Sequence, residues 1–107
     1  MSAMKTVITS SGDTLQSTMD SRFGRCAYFC VYDQESGTTS FLKNEFATAQ
    51  GGAGQKVAEK MLMLGVQRII SGDFGPKAKA ILDKYQVQLV KFSDDQKTIQ
   101  QIIETLK

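Results

Sequence analysis

The apolar pattern changes period near the middle of this chain, and that change constrains the fold more than any other feature. Before residue 44 the apolar residues gather in short runs, at Met4 to Thr9 around Val7 and Ile8, at Ala27 to Tyr32 and at Thr38 to Lys43. These read as three strands, the last two joined as a hairpin by Asp33-Gln34-Glu35-Ser36-Gly37. After Gly51-Gly52-Ala53-Gly54 the spacing becomes helical, with Val57, Ala58, Met61, Leu62 and Leu64 on one stripe and Gly65 to close it. Gln67 to Ser71 is a fourth strand, and Pro76 opens a helix whose stripe is Ala78, Ile81, Leu82 and Tyr85. Val87 to Phe92 is a fifth strand. Ser93 with Gln96 spells a capping box, and Ile99, Ile102, Ile103 and Leu106 mark a final helix.

The order is therefore β-β-β-α-β-α-β-α, which predicts an α/β fold with a mixed five-stranded sheet and helices on both faces. Length and pattern predict a single domain over 1–107. Right-handed crossovers make strands four and five parallel to each other and to strand one. One end of the sheet then collects Ser10–Gly12, Arg22–Cys26, Gly51–Gly54, Gly72–Gly75 and Ser93–Asp95. Ligands of open α/β sheets bind at the carboxyl ends of strands, where strand order reverses, and pairing of strand four with strand one puts that reversal at this rim.

Composition narrows the chemistry. A 41% apolar and 22% charged chain of 107 residues is globular rather than disordered, and a net charge of +2 leaves no basic stripe for nucleic acid. No apolar run approaches the roughly 20 residues of a membrane span, and the first residues lack the apolar core of a signal peptide. The expectation is a cytoplasmic protein without a membrane partner. Histidine is absent, which removes Ser-His-Asp and Cys-His catalysis and every imidazole ligand. On a strand, Cys26 and Cys30 would share a face with Cα atoms roughly 13 Å apart, too far for a disulfide. Both then read as reduced thiols, either small buried apolar residues or, for Cys26, a soft metal ligand.

Each rim motif carries two readings. Gly51-Gly52-Ala53-Gly54 before a helix exposes backbone N–H groups at a positive dipole end, or simply gives the chain a flexible connection. It is neither a Walker loop nor a dinucleotide fingerprint. Gly72-Asp73-Phe74-Gly75-Pro76-Lys77 repeats the arrangement, with a lysine that opposes the dipole unless an anion sits there or the side chain is simply solvated. Arg22-Phe23-Gly24-Arg25 sets two permanent cations beside Cys26, as an anion clamp or as surface arginines flanking a core phenylalanine. Asp13, Asp33 and Asp73 do not make a two-metal nuclease, because Asp33 falls at the opposite end of the sheet.

Ser21-Arg22-Phe23-Gly24-Arg25-Cys26-Ala27-Tyr28-Phe29, Gly51-Gly52-Ala53-Gly54 and Gly72-Asp73-Phe74-Gly75-Pro76 with Ala78 occur in that order. Together they resemble the dinitrogenase iron-molybdenum cofactor biosynthesis family, over roughly Met4 to Leu106. The resemblance implies a ribonuclease H-like fold and a non-enzymatic carrier. Such a carrier transiently binds an iron-sulfur or iron-molybdenum-type cluster, between donor and acceptor proteins of cofactor assembly. It implies a binding rim of Arg22, Gly24, Arg25, Cys26, Gly51, Gly52, Gly54, Gly72 and Gly75, with Cys26 as metal ligand. Many relatives have histidine where Arg22 stands and proline where Ala27 stands, so this chain is left with a thiol and charge. The alternative is an anion- or partner-binding regulatory module without a metal cluster. Oligomeric state stays open.

Overall fold

The strand that the chain lays down first ends up in the middle. In the computed structural model, which describes residues 4–94 and 96–107, β1 (Lys5–Ser10) is buried at every position but its first. On one side it pairs antiparallel with β2 (Tyr28–Asp33), which pairs antiparallel with β3 (Thr38–Lys43). On the other side it pairs parallel with β4 (Arg68–Ser71), which pairs parallel with β5 (Gln88–Lys91). The sheet order is β3-β2-β1-β4-β5. This is the mixed five-stranded sheet expected from the change of period, with strand bounds displaced by a residue or so.

Register gives each face a core. Val7 sits between Val31 and Ile69, and Ile8 between Cys30 and Ile70. The face of Val7, Phe29 and Ile69 packs on Val57 and Met61 of α1 (Ala53–Met63) and Leu82 of α2 (Pro76–Lys84). The face of Ile8, Cys30 and Ile70 packs on Ile99, Ile102 and Ile103 of α3 (Ile99–Leu106). Each such buried isoleucine contributes roughly 1.5–3 kcal/mol by leaving water. That apolar stripe is what holds a helix of only eight residues in place.

Helix α1 ends as the sequence suggests. Gly65 takes φ 74°, Val66 N–H donates to Met61 O at 3.1 Å, and Gly65 N–H donates to Leu62 O at 3.1 Å, a Schellman closure. Helix α2 closes in the same way on a non-glycine residue, Gln86 at φ 62°, with Val87 N–H donating to Leu82 O at 3.0 Å. Tyr85, expected on the buried stripe, is 58% exposed instead, because the helix stops at Lys84 and the tyrosine turns outward at its cap.

Two further expectations are corrected. The capping box of α3 is Thr98 with Gln101, not Ser93 with Gln96. Both pairs have the right spacing, but Ser17 O and Leu15 O accept the N–H groups of Ile99 and Gln100, at 2.9 Å each, and fix the helix start. Asp95, part of that expected rim segment, lies outside the described residues. Cys26 and Cys30 do not share a face either. A turn occupies 23–25 and β2 begins only at Tyr28, so strand alternation does not reach back to Cys26. Cys26 joins the α1–α2 core and Cys30 the α3 core, and both are free thiols.

Candidate functional site

The reversal between β1 and β4 is covered rather than open. Thr9 Oγ1 and Ser71 Oγ lie 3.0 Å apart at the strand ends, and Ser71 Oγ donates to Ser21 O at 3.5 Å. A Cβ on Gly72 would come within 2.6 Å of Ser21 Cβ and 2.8 Å of Ser21 Cα, so the chain at Ser21 lies tight against the end of β4, while Asp20 N–H donates to Thr9 O of β1. This close approach is the reason for a glycine at 72. The open space is displaced sideways, onto the N-termini of α1 and α2.

There a cavity of about 500 Å³ lies between the 21–25 turn, the 52–55 start of α1 and the 73–78 start of α2. The Arg22–Arg25 turn is held on three sides. Phe23 N–H donates to Asp73 O at 3.1 Å, and the Phe23 and Phe74 rings meet with centroids 5.6 Å apart. Gly24 is pressed against α1, where a Cβ would stand 2.8 Å from Gly54 N. Asn44, only 3% exposed, donates from Nδ2 to Gly24 O at 3.1 Å and Cys26 O at 2.8 Å. Sequence reasoning passed over Asn44; a polar residue directly after a strand is an ordinary turn signal, and only its burial reveals the clamp.

The helix starts are bare. Gly52 at φ 67° and Gly75 at φ 75° are the N-caps of α1 and α2, and neither supplies a side-chain cap. Neither first turn contains an acidic residue. An uncapped start leaves backbone donors and a partial positive charge directed along the axis, and here two such ends share one cavity. The two helix starts meet at Gly54, where a Cβ would stand 3.6 Å from Ala78 Cβ, an ordinary contact, so their approach does not itself require glycine there.

Three cations and one carboxylate line the cavity: Arg22, Arg25, Lys77 and Asp73. Arg22 makes a two-pronged pair with Asp20, Nε to Oδ1 and Nη2 to Oδ2 at 3.1 Å each. The Arg25 guanidinium donates to the carbonyls of Ala47 and Ala49, which position it without cancelling its charge. Asp73 accepts the Gly75 N–H at 3.3 Å.

Of the expected rim residues, Arg22, Gly24, Arg25, Gly52, Gly54 and Gly75 line the cavity, whereas Cys26, Gly51 and Gly72 do not. Cys26 is wholly buried beneath the turn, its Sγ 3.5 Å from Phe23 O. Burial pushes its thiol up to about 12; Asp20 adds to the rise and Arg22 opposes it. Burial alone pushes Cys30 up to about 12. Both are protonated at neutral pH and present no thiolate. Among the described residues, no group of three or more His, Cys, Asp or Glu side chains converges as a metal site. No described helix is long and apolar enough to cross a membrane.

The fold is α/β, and the cavity beside it is lined by backbone N–H donors and cations rather than by nucleophiles. The chain belongs to the family described as dinitrogenase iron-molybdenum cofactor, matched over residues 4–107. Among solved structures it is similar to the apo form of the orange protein from Desulfovibrio gigas. Identity is 25%, coverage is 98% of this chain and 88% of that one, and the TM-score is 0.89. It is also similar to a Thermotoga protein provisionally described as NifB, at 32% identity, 96% and 86% coverage and a TM-score of 0.81. A Methanocaldococcus jannaschii protein provisionally described as a dinitrogenase shares the fold, with 19% identity, 98% and 92% coverage and a TM-score of 0.56. Comparison with curated protein sequences finds no match.

Proposed function

We propose that this protein is a non-enzymatic carrier that takes an anionic metal–sulfur cluster, of the iron-molybdenum or another iron-sulfur type, into the cavity between α1 and α2. It receives the cluster from one assembly protein and releases it to another. The observation that carries this reading is the convergence of two uncapped helix N-termini on one cation-lined cavity. Family membership points to cofactor assembly, and the apo description of the orange protein is consistent with a ligand-binding fold.

The donor set fits a cluster held by its outer sulfides. N–H groups of the first turns of α1 and α2 donate to sulfide, and Arg25 and Lys77 balance its charge, while the charge of Arg22 is already met by Asp20. It does not fit a cluster ligated by histidine, which the chain lacks, or by the thiol of Cys26 as it lies in this structure. Holding by hydrogen bonds and charge leaves the metal–ligand bonds of the cargo intact, which suits a protein that must let go.

The test is anaerobic uptake of a synthetic thiolate-ligated [4Fe–4S] cluster and of a thiomolybdate anion, followed by absorption spectra and metal analysis. Wild type takes up stoichiometric metal, and Arg25→Glu loses it. Cys26→Ser retains it; collapse in that variant would return the ligand role to the thiol. A second reading, an anion- or partner-binding regulatory module without a cluster, draws on the protonated thiols and the lack of converging metal ligands among the described residues. Tight binding of phosphate or sulfate with no cluster uptake would favour it.

A further inference from the structure

A second cavity, of about 380 Å³, lies on the other side of the 73–76 turn, in the groove between α2 and the sheet edge at β5. Phe74, Pro76 and Leu89 make its apolar floor, and Lys79 and Lys91 stand at its lip. Among the described residues, the N–H and C=O groups of Leu89 and Lys91 beside this groove have no hydrogen-bond partner. Gln88 N–H donates to Gln67 O at 3.0 Å and Phe92 N–H to Ser71 O at 2.9 Å, so alternate residues of β5 bond inward to β4. The N–H and C=O groups of Leu89 and Lys91 therefore face the open edge. The same two residues supply side chains to the groove.

We infer that this edge accepts an extended acidic segment of a partner protein as a sixth strand, with an apolar side chain in the groove and a carboxylate on Lys91. A helix lying beside an open edge strand is the arrangement by which domains recognise peptides through strand addition. Main-chain bonds to Leu89 and Lys91 give the affinity, and period-two alternation sets the pattern. An apolar residue falls against Leu89, and an acidic one two positions away falls against Lys91. Charge decides the sign. Two lysines and one carboxylate line the groove: Lys79 is held by Asp83 at 2.7 Å, Asp73 brings its carboxylate to the 73–76 turn while accepting the Gly75 N–H, and Lys91 on the edge strand makes no ion pair among the described residues. An edge lysine also disfavours a second copy of this strand, since two such edges would bring like charges together. The site stands whether or not the neighbouring cavity holds a cluster. Because the two cavities share the 73–76 turn, a docked partner would sit next to whatever that cavity carries.

The experiment titrates the whole protein with a capped peptide of alternating threonines that carries one leucine and, two residues later, one glutamate. Amide NMR shifts and hydrogen exchange are read together. Expected are shifts confined to β5 and α2, with new exchange protection at the Leu89 and Lys91 amides. Replacing the peptide's glutamate by lysine weakens binding about tenfold, and Lys91→Glu reverses that preference. Lys91 is exposed, so the variant keeps the fold, which its unchanged amide spectrum elsewhere verifies. Shifts at β3, indifference to the peptide's charge, or binding without amide protection would each overturn the proposal. Protection of Leu89 and Lys91 that appears on raising protein concentration without peptide would overturn it in favour of a second copy.

Discussion

Helix α3 and the pair α1–α2 solve the same problem in opposite ways. Thr98 accepts the Gln101 N–H at 3.1 Å while Gln101 accepts the Thr98 N–H at 2.9 Å, and two further N–H groups of the first turn reach the 15–17 loop. The start of α3 is thus satisfied within the protein. The starts of α1 and α2 carry glycine caps, no acidic residue and, in Lys77, a cation where the dipole disfavours one. In the proposed function these two bare ends are what the bound anion completes. The side-chain cap is worth roughly 1 kcal/mol to α3 relative to alanine, whereas the glycine caps at the other two starts cost only about a few tenths of a kcal/mol each.

The sharpest way to break this comparison is steric. Gly24→Val and Gly72→Val force a side chain against Gly54 and Ser21, and each is expected to lower unfolding free energy by about 1–3 kcal/mol or more. Gly51→Ala meets nothing within 4 Å at a residue without positive φ, and is expected to be nearly neutral. Urea denaturation of the three separates glycines that fit from glycines that merely connect.

Alkaline pH probes both sides of the sheet, since each core holds one buried thiol. The folded pKa of about 12 lies above the ordinary thiol value of 9.0, so folding favours the protonated form. That contribution is complete below about pH 9 and is lost as pH rises from there toward 12. Stability measured at pH 10 should fall below that at pH 8, and Cys26→Ala with Cys30→Ala should flatten the decline. Both thiols should resist alkylation at pH 8. Rapid labelling of Cys26 alone would mean that the rim opens independently of the α3 side.

Thr98→Ala should cost roughly 1 kcal/mol in thermal or chemical unfolding and leave cluster uptake untouched. Gln86→Gly, at a helix end with φ 62°, should raise stability by roughly 0.5–1 kcal/mol, because glycine takes that conformation without strain. The smallest change in stability is the most informative about the site. Lys77→Glu complements the α2 dipole and should stabilise by about 0.3–1 kcal/mol while weakening anion binding. If both stability and binding rose together, the bare helix ends would not be the binding element.

Part of the rim was legible because glycine and arginine announce themselves at the level of single residues: Arg22, Gly24, Arg25, Gly52, Gly54 and Gly75 meet at one cavity, while Cys26, Gly51 and Gly72 lie off it. Cys26 was harder to read. A thiol two residues before a strand reads equally as core or as ligand, and the turn at 23–25 sends it inward. Asn44 left no signal, since its role exists only where the Gly24 and Cys26 carbonyls converge on it.

Hydrophobic period, glycine placement and the lack of histidine are properties of the chain itself, and they determined the element order, part of the shared rim and the exclusion of imidazole chemistry. Which of two equally spaced capping boxes closes α3, which face each cysteine joins, and where the cavity lies relative to the β1–β4 reversal were decided only by tertiary structure. The reason is physical: these choices depend on contacts between segments far apart in the chain, such as Gln100 N–H to Leu15 O and Gly72 against Ser21, and no local pattern encodes such contacts.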